Sequence, residues 1–476
     1  MPQNNTLLLW DRLIRGSFYA LIFFLPISIA LVGIFAAFAI SFFLIKRIAA
    51  VCAGPARGLG ALIEVLRPPA NFLNWPLGLF VAAVTISVIF SQNHALSILG
   101  FFGKILRGVF LYSSFLEAFT DARYINHFMF IWFTSAFVTG VSGLSQYFNG
   151  IDFLRNTMLA HGRVSSSLRH ANDFGAYLVT VCPLLFVLLL NWTSLRARPG
   201  GHHRGMAGSR GFLYAFFFIV WMVLVTCLGL TFSRASWVAF FIAIALAGLY
   251  KKRALPVVFL VITVFIMIFS PLMLQTRNSS LLSDVVKSGS IPAPAAQWPV
   301  KDQVGTVVKP PIFLKIENVP KAIAQQSRRV IKYVGSHMGD GRWTFWKEAL
   351  KIVRDYPVWG AGLNTYSRMG QKYSFYWGGY PHNSYLQMAA ELGLLGLGAF
   401  LGMLFVLFRR TLLCINRMPE GYLRSVLIGI LAGTCAYLIQ SFFDTTFYSV
   451  QLSVLFWLMV ALGVAAQKIQ LTQKHD

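Results

Sequence analysis

Charged side chains are scarce in this sequence: they make up 12% of its 476 residues, whereas 57% are hydrophobic. Soluble domains carry roughly 25% charged residues, so the composition argues against a soluble enzyme or binding module. A helix that crosses a hydrocarbon core needs about 20 apolar residues, each rising ~1.5 Å. The low charge and the many apolar residues together predict a membrane protein.

Familiar catalytic and metal-binding motifs are also lacking. The five cysteines lie in or near apolar runs or short cytoplasmic connections, which predicts neither a disulfide framework nor a cysteine metal site. The sequence has no Walker motif and no Gly-x-Ser-x-Gly turn. The outer loops contain no Asp-x-Asp pair and no histidine pair four residues apart. We therefore expect no catalytic metal and no cofactor, so that the energy for any reaction arrives with the substrate.

Long apolar runs predict an all-α polytopic membrane protein with about twelve transmembrane helices. Residues 18–45 are too long for one span and contain Pro26, so we expect a tight helical pair there rather than a cleavable signal peptide. Ten further runs each predict one span: 75–91, 98–119, 125–148, 173–190, 212–230, 235–250, 255–270, 386–408, 422–443 and 450–466.

Positive charge in the short connections sets the orientation of the spans. The short outer loops near Asn93, Thr231 and Asp444 contain Arg234 as their one cation. The connections on the other side carry many: Lys46, Arg47, Arg57, Arg67, Arg196, Arg198, Arg204, Arg210, Lys251, Lys252, Arg253, Arg409, Arg410, Arg417 and Arg424. We therefore expect both termini in the cytoplasm. Residues 1–271 then hold helices 1–9, residues 272–381 form a large outer loop, and residues 382–476 hold helices 10–12.

The outer loop is basic, with 15 Lys and Arg against six Asp and Glu between Arg277 and Lys372. A solvated surface beside anionic lipid headgroups explains most of these charges. The proline-rich part, residues 288–312, predicts irregular structure, whereas residues 320–381 are predicted to be helical.

One helix in this loop is predicted in detail. Trp343, Trp346, Leu350 and Val353 recur at helical spacing, and Pro357 ends the run. Its tryptophans are typical of a helix on the membrane interface. The same spacing is compatible with Arg342 pointing into a site, with Trp343 and Trp346 beside the substrate.

His382 is the candidate general base. It lies where the loop enters a membrane span, beside Asn383 and Tyr385, which are candidates for orienting a sugar or the histidine. Histidine titrates near neutrality and can accept a proton. A lone histidine is more often structural, but this one faces the basic outer loop.

Several cations at the same membrane face predict a clamp for phosphate, because the planar guanidinium grips phosphate oxygens in pairs. Arg234 lies in a very short outer turn, where a charge is either functional or snorkels to the headgroups. The other candidate anion-binding or substrate-binding residues precede the sixth span or lie in the fourth: Arg169, His170, Asn172, Lys104 and Arg107.

Four segments resemble the O-antigen ligase family: RHANDFGAYL, TFSRASW, RWTFWKEALKIVRDYPVWGAGLNTY and PHNSYLQMAAELGLLGL. The last two, in this order around an outer loop, are the more specific. The resemblance matches the family's essential histidine to His382 and its arginines to Arg342 and Arg234. Arg169 with Asn172 matches a less specific motif. The proline-rich stretch before Lys315 is longer than is usual in the family.

The resemblance implies a multi-pass enzyme of the bacterial inner membrane, a glycosyltransferase of lipopolysaccharide biosynthesis with its active site facing the periplasm. It implies transfer of polysaccharide from undecaprenyl pyrophosphate to the lipid A core, without metal or nucleotide. Polysaccharide polymerases and protein O-oligosaccharyltransferases share the donor, and both stay open. A transporter for a lipid-linked sugar should line its cavity with charge in both membrane halves, whereas here the charges concentrate at one face.

The charge bias of the short loops makes the topology testable. A cysteine introduced near Gly289 should react with an impermeant maleimide in intact spheroplasts, because that loop is predicted outside. A cysteine introduced near Gly201 should react only after permeabilisation. The opposite pattern would overturn the orientation and every site residue that depends on it.

Overall fold

The computed structural model describes residues 5–52, 58–191, 207–250, 255–287, 341–373 and 380–472. Regular structure in these ranges is helical, and no β-strand occurs among them. The helices are α1 (Asn5–Phe24), α2 (Ile29–Cys52), α3 (Gly58–Leu66), α4 (Asn74–Ile89), α5 (His94–Ala118), α6 (Ala122–Asn149), α7 (Ala171–Leu190), α8 (Ala207–Leu230), α9 (Arg234–Tyr250), α10 (Leu255–Lys287), α11 (Gly341–Asp355), α12 (Tyr366–Tyr373), α13 (Ser384–Arg417), α14 (Tyr422–Phe443) and α15 (Val450–Thr472).

The polytopic all-α architecture is confirmed. In the described ranges, eight helices are long and apolar enough to cross a membrane, and three shorter helices are also apolar. Residues 18–45 form the expected pair, α1 and α2, with Pro26 in the turn between them. Helix α10 continues through Pro271 to Lys287, past the predicted start of the outer loop at residue 272. The proline-rich residues 288–312 and residues 320–340 lie outside the described part of the chain.

The centre of the bundle is built from α7, α14 and α15. Helices α7 and α15 are buried along almost their whole length, as expected of helices that are apolar on every side. Gly429 and Gly433 of α14 lie directly against Leu184 and Thr180 of α7, where an added Cβ would meet their backbone atoms. Small residues at such a crossing let the two backbones approach closely, which fixes the start of α7 relative to the end of α14.

The segment after α11 is bound to α13 through backbone hydrogen bonds. Ala361 N–H donates to Ala390 O at 2.9 Å, and Leu394 N–H donates to Pro357 O at 2.8 Å. Helix α13 is interrupted at Gly393, which has φ 69° and ψ −177°. This backbone conformation is essentially restricted to glycine. The interruption leaves the Ala390 carbonyl and the Leu394 N–H without partners inside α13, so they are free to bind the segment after α11.

A buried carboxylate completes this attachment. Glu391 accepts hydrogen bonds from the backbone N–H of Asn364 at 2.7 Å and of Tyr366 at 3.2 Å. The side-chain amide of Gln387 donates to it at 3.2 Å. A second apolar cluster then forms between α11 and α13, from Ala349, Ile352, Ala361, Tyr366 and Ala390. Helix α11 is therefore fixed to the apolar helix α13 by both polar and apolar contacts.

Replacing Gly393 by Ala should destabilise the protein by about 1–3 kcal/mol, because alanine disfavours this φ and ψ and its methyl group would press on the Val358 carbonyl. Gly402→Ala is the matched control on the same helix, since nothing lies within 4 Å of its added Cβ. Thermal unfolding in detergent should show a lower Tm for the first variant. The control should be unchanged or more stable by at most ~1 kcal/mol. Equal Tm values for the two variants would contradict the role given to Gly393.

Candidate functional site

His382 lies between Pro381 and the first turn of α13, with a left-handed φ of 46°. Few non-glycine residues adopt this conformation, and those that do cluster at functional sites. The next residue, Asn383, is buried and caps α13, accepting from the N–H of Tyr385 and of Leu386 at 3.0 Å each. The cap fixes the start of α13 and with it the position of His382.

The imidazole of His382 faces a carboxylate that the sequence analysis missed. His382 Nδ1 lies 3.4 Å from Asp444 Oδ1, and the side chains are 44% and 15% exposed, respectively. The Asp444 carbonyl accepts from Ser384 Oγ at 2.8 Å, which binds the loop after α14 to the start of α13. The sequence held one signal for this pair: Asp444 is the acidic residue in a short outer turn predicted at the same depth as His382.

A chain of hydrogen bonds extends from Asp444 across three further elements. Asn172 Nδ2 donates to Asp444 Oδ2 at 3.0 Å, and Arg163 donates to Asn172 Oδ1 at 2.6 Å. Arg163 Nε also donates to the Thr231 carbonyl at 2.8 Å, in the turn before α9. Asn172 is thus a member of the cluster as expected from its position, whereas Arg163 was not among the candidates.

Burial and hydrogen bonding oppose each other at Asp444. Burial alone would raise its pKa, but hydrogen bonds from His382, the Thr445 N–H and Asn172 lower it below the usual value. Burial and the nearby positive charge of Arg342 lower the pKa of Arg163, while Asp444 raises it. The cluster therefore contains an ionised Asp444 surrounded by donors, with the arginine of α11 within electrostatic range.

Helix α11 forms at the predicted position and packs beside His382. The Phe345 ring lies edge-on to the His382 ring at 6.0 Å, and the Trp346 ring lies 5.7 Å from Phe442 at the end of α14. The indole N–H of Trp346 is buried and has no hydrogen-bond partner within the described ranges. Arg342 and Trp343 are exposed. The helix thus packs one aromatic ring, that of Phe345, against His382 and places Arg342 at the edge of the cluster.

Arg234, Arg169 and His170 are exposed around the same cluster. Arg234 begins α9, three residues after the Thr231 carbonyl that binds Arg163. Ser236 follows Arg234 by half a turn of α9 and donates to Gln440 Oε1 at 3.2 Å. Gln440 lies in α14, about one turn before Asp444. Arg169 and His170 directly precede α7, next to Asn172.

The side chain of Tyr385 donates to the Leu438 carbonyl at 2.9 Å, so its contact with a substrate stays a prediction, as does that of Asn383.

Lys104 and Arg107 lie in a separate cluster. Lys104 Nζ donates to Asn364 Oδ1 at 2.6 Å and lies 4.5 Å from the centre of the Tyr448 ring. It is part of a π-helical turn, Phe101–Leu106, directly before Arg107. Both cations line a cavity of about 170 Å³ with Asn364 and Tyr448. They do not join the hydrogen-bonded chain that contains His382.

The described ranges contain no group of three or more His, Cys, Asp or Glu residues that could hold a metal ion. The independence of any activity from metals stays a prediction, tested by whether activity survives chelation.

Replacing Asp444 by Asn should destabilise the protein at pH 7 by about 1–3 kcal/mol, the worth of hydrogen bonds to a charged group. Because folding lowers the pKa of Asp444, its stabilising effect is complete above the unfolded value of about 3.9 and is lost as the pH falls through the folded value. The Tm difference between wild type and variant should therefore shrink between pH 7 and pH 3. Glu420, whose side chain is 58% exposed and pairs with Arg424, provides the control, since Glu420→Gln should change Tm little at either pH. A Tm loss in Asp444→Asn that is equal at both pH values would show that its charge is not responsible.

Two comparisons with known proteins bear on this cluster. The family described as O-antigen ligase matches residues 217–401, a stretch that contains Arg234, Arg342 and His382. A comparison with the curated proteins found no match. The matched stretch also holds α11, the Glu391 attachment and the start of α13, which position His382 in this chain. The match over residues 217–401 supports membership of the chain in the O-antigen ligase family.

Proposed function

We propose that this protein is an O-antigen ligase of the bacterial inner membrane. It transfers polysaccharide from undecaprenyl pyrophosphate to the lipid A core oligosaccharide at the periplasmic face, with inversion and without a metal. The observation that carries the proposal is the pairing of His382 with Asp444 beside α11 and its arginine, at one end of an apolar bundle. A base and a set of cations at one membrane face suit a lipid-linked anionic donor.

The proposed topology has twelve spans: α1, α2, α4 to α10, and α13 to α15. Both termini are cytoplasmic, and α11 lies in the periplasm with His382. The short-loop charge bias supports this orientation. A group of ion pairs at the opposite end supports it too, where Lys46 and Arg47 lie 2.9 and 2.5 Å from Glu117.

The donor's pyrophosphate is proposed to bind Arg234 and Arg342, with Arg169 beside them, while its polyprenyl tail lies along the apolar helices. As the bond between the sugar C1 and the pyrophosphate oxygen breaks, the electron pair moves onto the pyrophosphate. Guanidinium groups already in place stabilise that charge, and losing one such donor typically costs about 10² to 10³ in rate.

His382 is proposed to accept the proton of the acceptor hydroxyl as its oxygen attacks C1 from the face opposite the leaving group. Because Nδ1 faces Asp444, the second ring nitrogen, Nε2, is the one left for this proton. Asp444 then acts as a positioning residue that orients the ring and stabilises the imidazolium formed. Attack from the opposite face inverts the anomeric centre. Arginine is unsuited to the role of base because its pKa exceeds ~12.

Trp343 and Trp346 are proposed to contact the sugars. The buried indole N–H of Trp346 offers a donor for a hydroxyl group. The cluster of Lys104 and Arg107 is a further candidate for a lipid phosphate, deeper in the bundle than His382.

Polymerases and protein O-oligosaccharyltransferases are the alternatives that use the same donor, and lipopolysaccharide electrophoresis of a deletion strain separates them. A ligase predicts loss of the polysaccharide ladder with accumulation of lipid-linked polymer. A polymerase predicts a band that carries a single repeat. An unchanged ladder with an altered glycoprotein pattern would favour the protein transferase, and a strain that is normal in every respect would overturn the proposal.

Variants of the purified protein separate the proposed roles. His382→Ala should abolish single-turnover transfer and leave donor binding nearly intact, since a neutral ring contributes little to binding pyrophosphate. Arg234→Ala and Arg342→Ala should lose both, because each removes a charge-assisted contact of about 1.5–3 kcal/mol. Arg342→Lys should restore little, because an ammonium group lacks the paired donors.

Arg354→Ala is the matched control, since this exposed arginine lies on the same helix as Arg342 and pairs with Asp355. It should bind and transfer as the wild type does. If His382→Ala lost donor affinity as severely as the arginine variants, His382 would be a donor ligand and the base would be another group.

A further inference from the structure

The end of the bundle away from His382 contains a cavity of about 620 Å³. It lies between the last turns of α13 and α15 and the segment before α4. Arg410 and Arg417 follow the start of α13 by 26 and 33 residues, which at ~1.5 Å per residue places them about 40–50 Å from His382. The cavity is thus at the opposite membrane face from the proposed active site.

Three cations line this cavity, and no acidic residue does: Arg410, Arg417 and Lys468. In the described part of the chain none of the three has an ion pair. The cations of α2 at the same end differ, because Lys46 and Arg47 are bound to Asp11 and Glu117. Within the described residues, one group of cations at this face is paired with carboxylates and the other is not.

Most of the remaining lining is apolar or already hydrogen-bonded, and Gln470 adds one further polar side chain. Leu413 and Leu471, at 40% and 58% exposure, present hydrocarbon beside the cations. The Gln467 amide donates to Thr411 Oγ1 at 3.0 Å, which joins α15 to α13 across the wall. Asn71 uses its side chain to bind Asn74 and Tyr112. The cavity therefore offers an occupant positive charge and hydrocarbon, held in a fixed frame.

We propose that this cavity is a binding site for one anionic phospholipid, with its phosphodiester on Arg410, Arg417 and Lys468 and its acyl chains along Leu413 and Leu471. Basic pockets between transmembrane helices suit anionic headgroups, and arginine suits phosphate oxygens in particular. A free phosphate ion would use the cations but not the exposed leucines. The inference does not depend on which donor or acceptor the protein uses.

The test is native mass spectrometry of the detergent-purified protein titrated with phosphatidylglycerol or phosphatidylcholine. The wild type should retain phosphatidylglycerol with a clear preference. Arg410→Gln, Arg417→Gln and Lys468→Gln should each weaken its binding about fivefold, since each removes a charge worth ~1 kcal/mol at the headgroup. Arg409→Gln is the matched control, because Arg409 is the exposed neighbour of Arg410 in sequence and does not line the cavity. It should bind within twofold of the wild type.

A second measurement needs no substitution at the cations. Cys414 lines the cavity, whereas Cys52 and Cys435 do not. Phosphatidylglycerol should slow maleimide labelling of Cys414 several-fold without slowing the other two, as read for each cysteine by peptide mass spectrometry.

Three outcomes would overturn the proposal. Equal retention of the two lipids would show that charge is not recognised. An equal loss of binding in Arg409→Gln would show a general surface effect. Displacement of the lipid by inorganic phosphate at comparable concentration would show a site for the free anion.

Discussion

The end of the bundle that contains His382 depends on the hydrogen bonds of one buried carboxylate, Glu391. It receives the backbone N–H groups of Asn364 and Tyr366, and a buried polar group without such partners would cost several kcal/mol. Through these bonds the segment after α11 is held against α13. Helix α11 is thereby set next to His382. The aromatic contact of Phe345 with the histidine ring thus depends on Glu391, which lies more than one helical turn further along α13.

The His382 cluster is arranged around one negative charge. Asp444 is bound on one side by His382 and on the other by Asn172, which in turn is bound by Arg163. Three further cations at this end, Arg169, Arg234 and Arg342, are exposed. The internal bonds therefore fix the histidine, while the exposed arginines stay available to an anion. In the proposed mechanism, this division separates the residue that accepts a proton from the residues that bind the anionic donor.

Much of the fold could be predicted from the sequence because lipid imposes a simple rule of length and hydropathy. The helical pair around Pro26 and the helix from Gly341 to Asp355 formed where their patterns predicted them. His382 was a candidate because of its place where loop meets membrane. Asn383 could have been recognised as a helix cap from its residue type and position alone.

The partners of His382 could not be predicted in this way. Hydropathy identifies which segments are helices but not which helix ends meet, so Asp444 and Arg163 were missing from the candidates. The π-helical turn at Phe101–Leu106 is a second example, because an extra residue per turn changes the faces on which Lys104 and Arg107 lie. Contacts between side chains from distant parts of the chain depend on how the helices pack, and the sequence pattern of a single helix does not contain this information.

The close crossing of α7 and α14 has a consequence for the membrane that surrounds them. Gly429 and Gly433 bring the two helices together below Asn172 and Asp444, so the spacing of those side chains is set by backbone contact. When a bilayer thickens or thins, transmembrane helices adapt by tilting. Two helices in backbone contact tilt together as a rigid unit. The hydrogen bond between Asn172 and Asp444 at their ends is therefore preserved. The site is thus shielded from changes in lipid chain length that would separate more loosely packed helices.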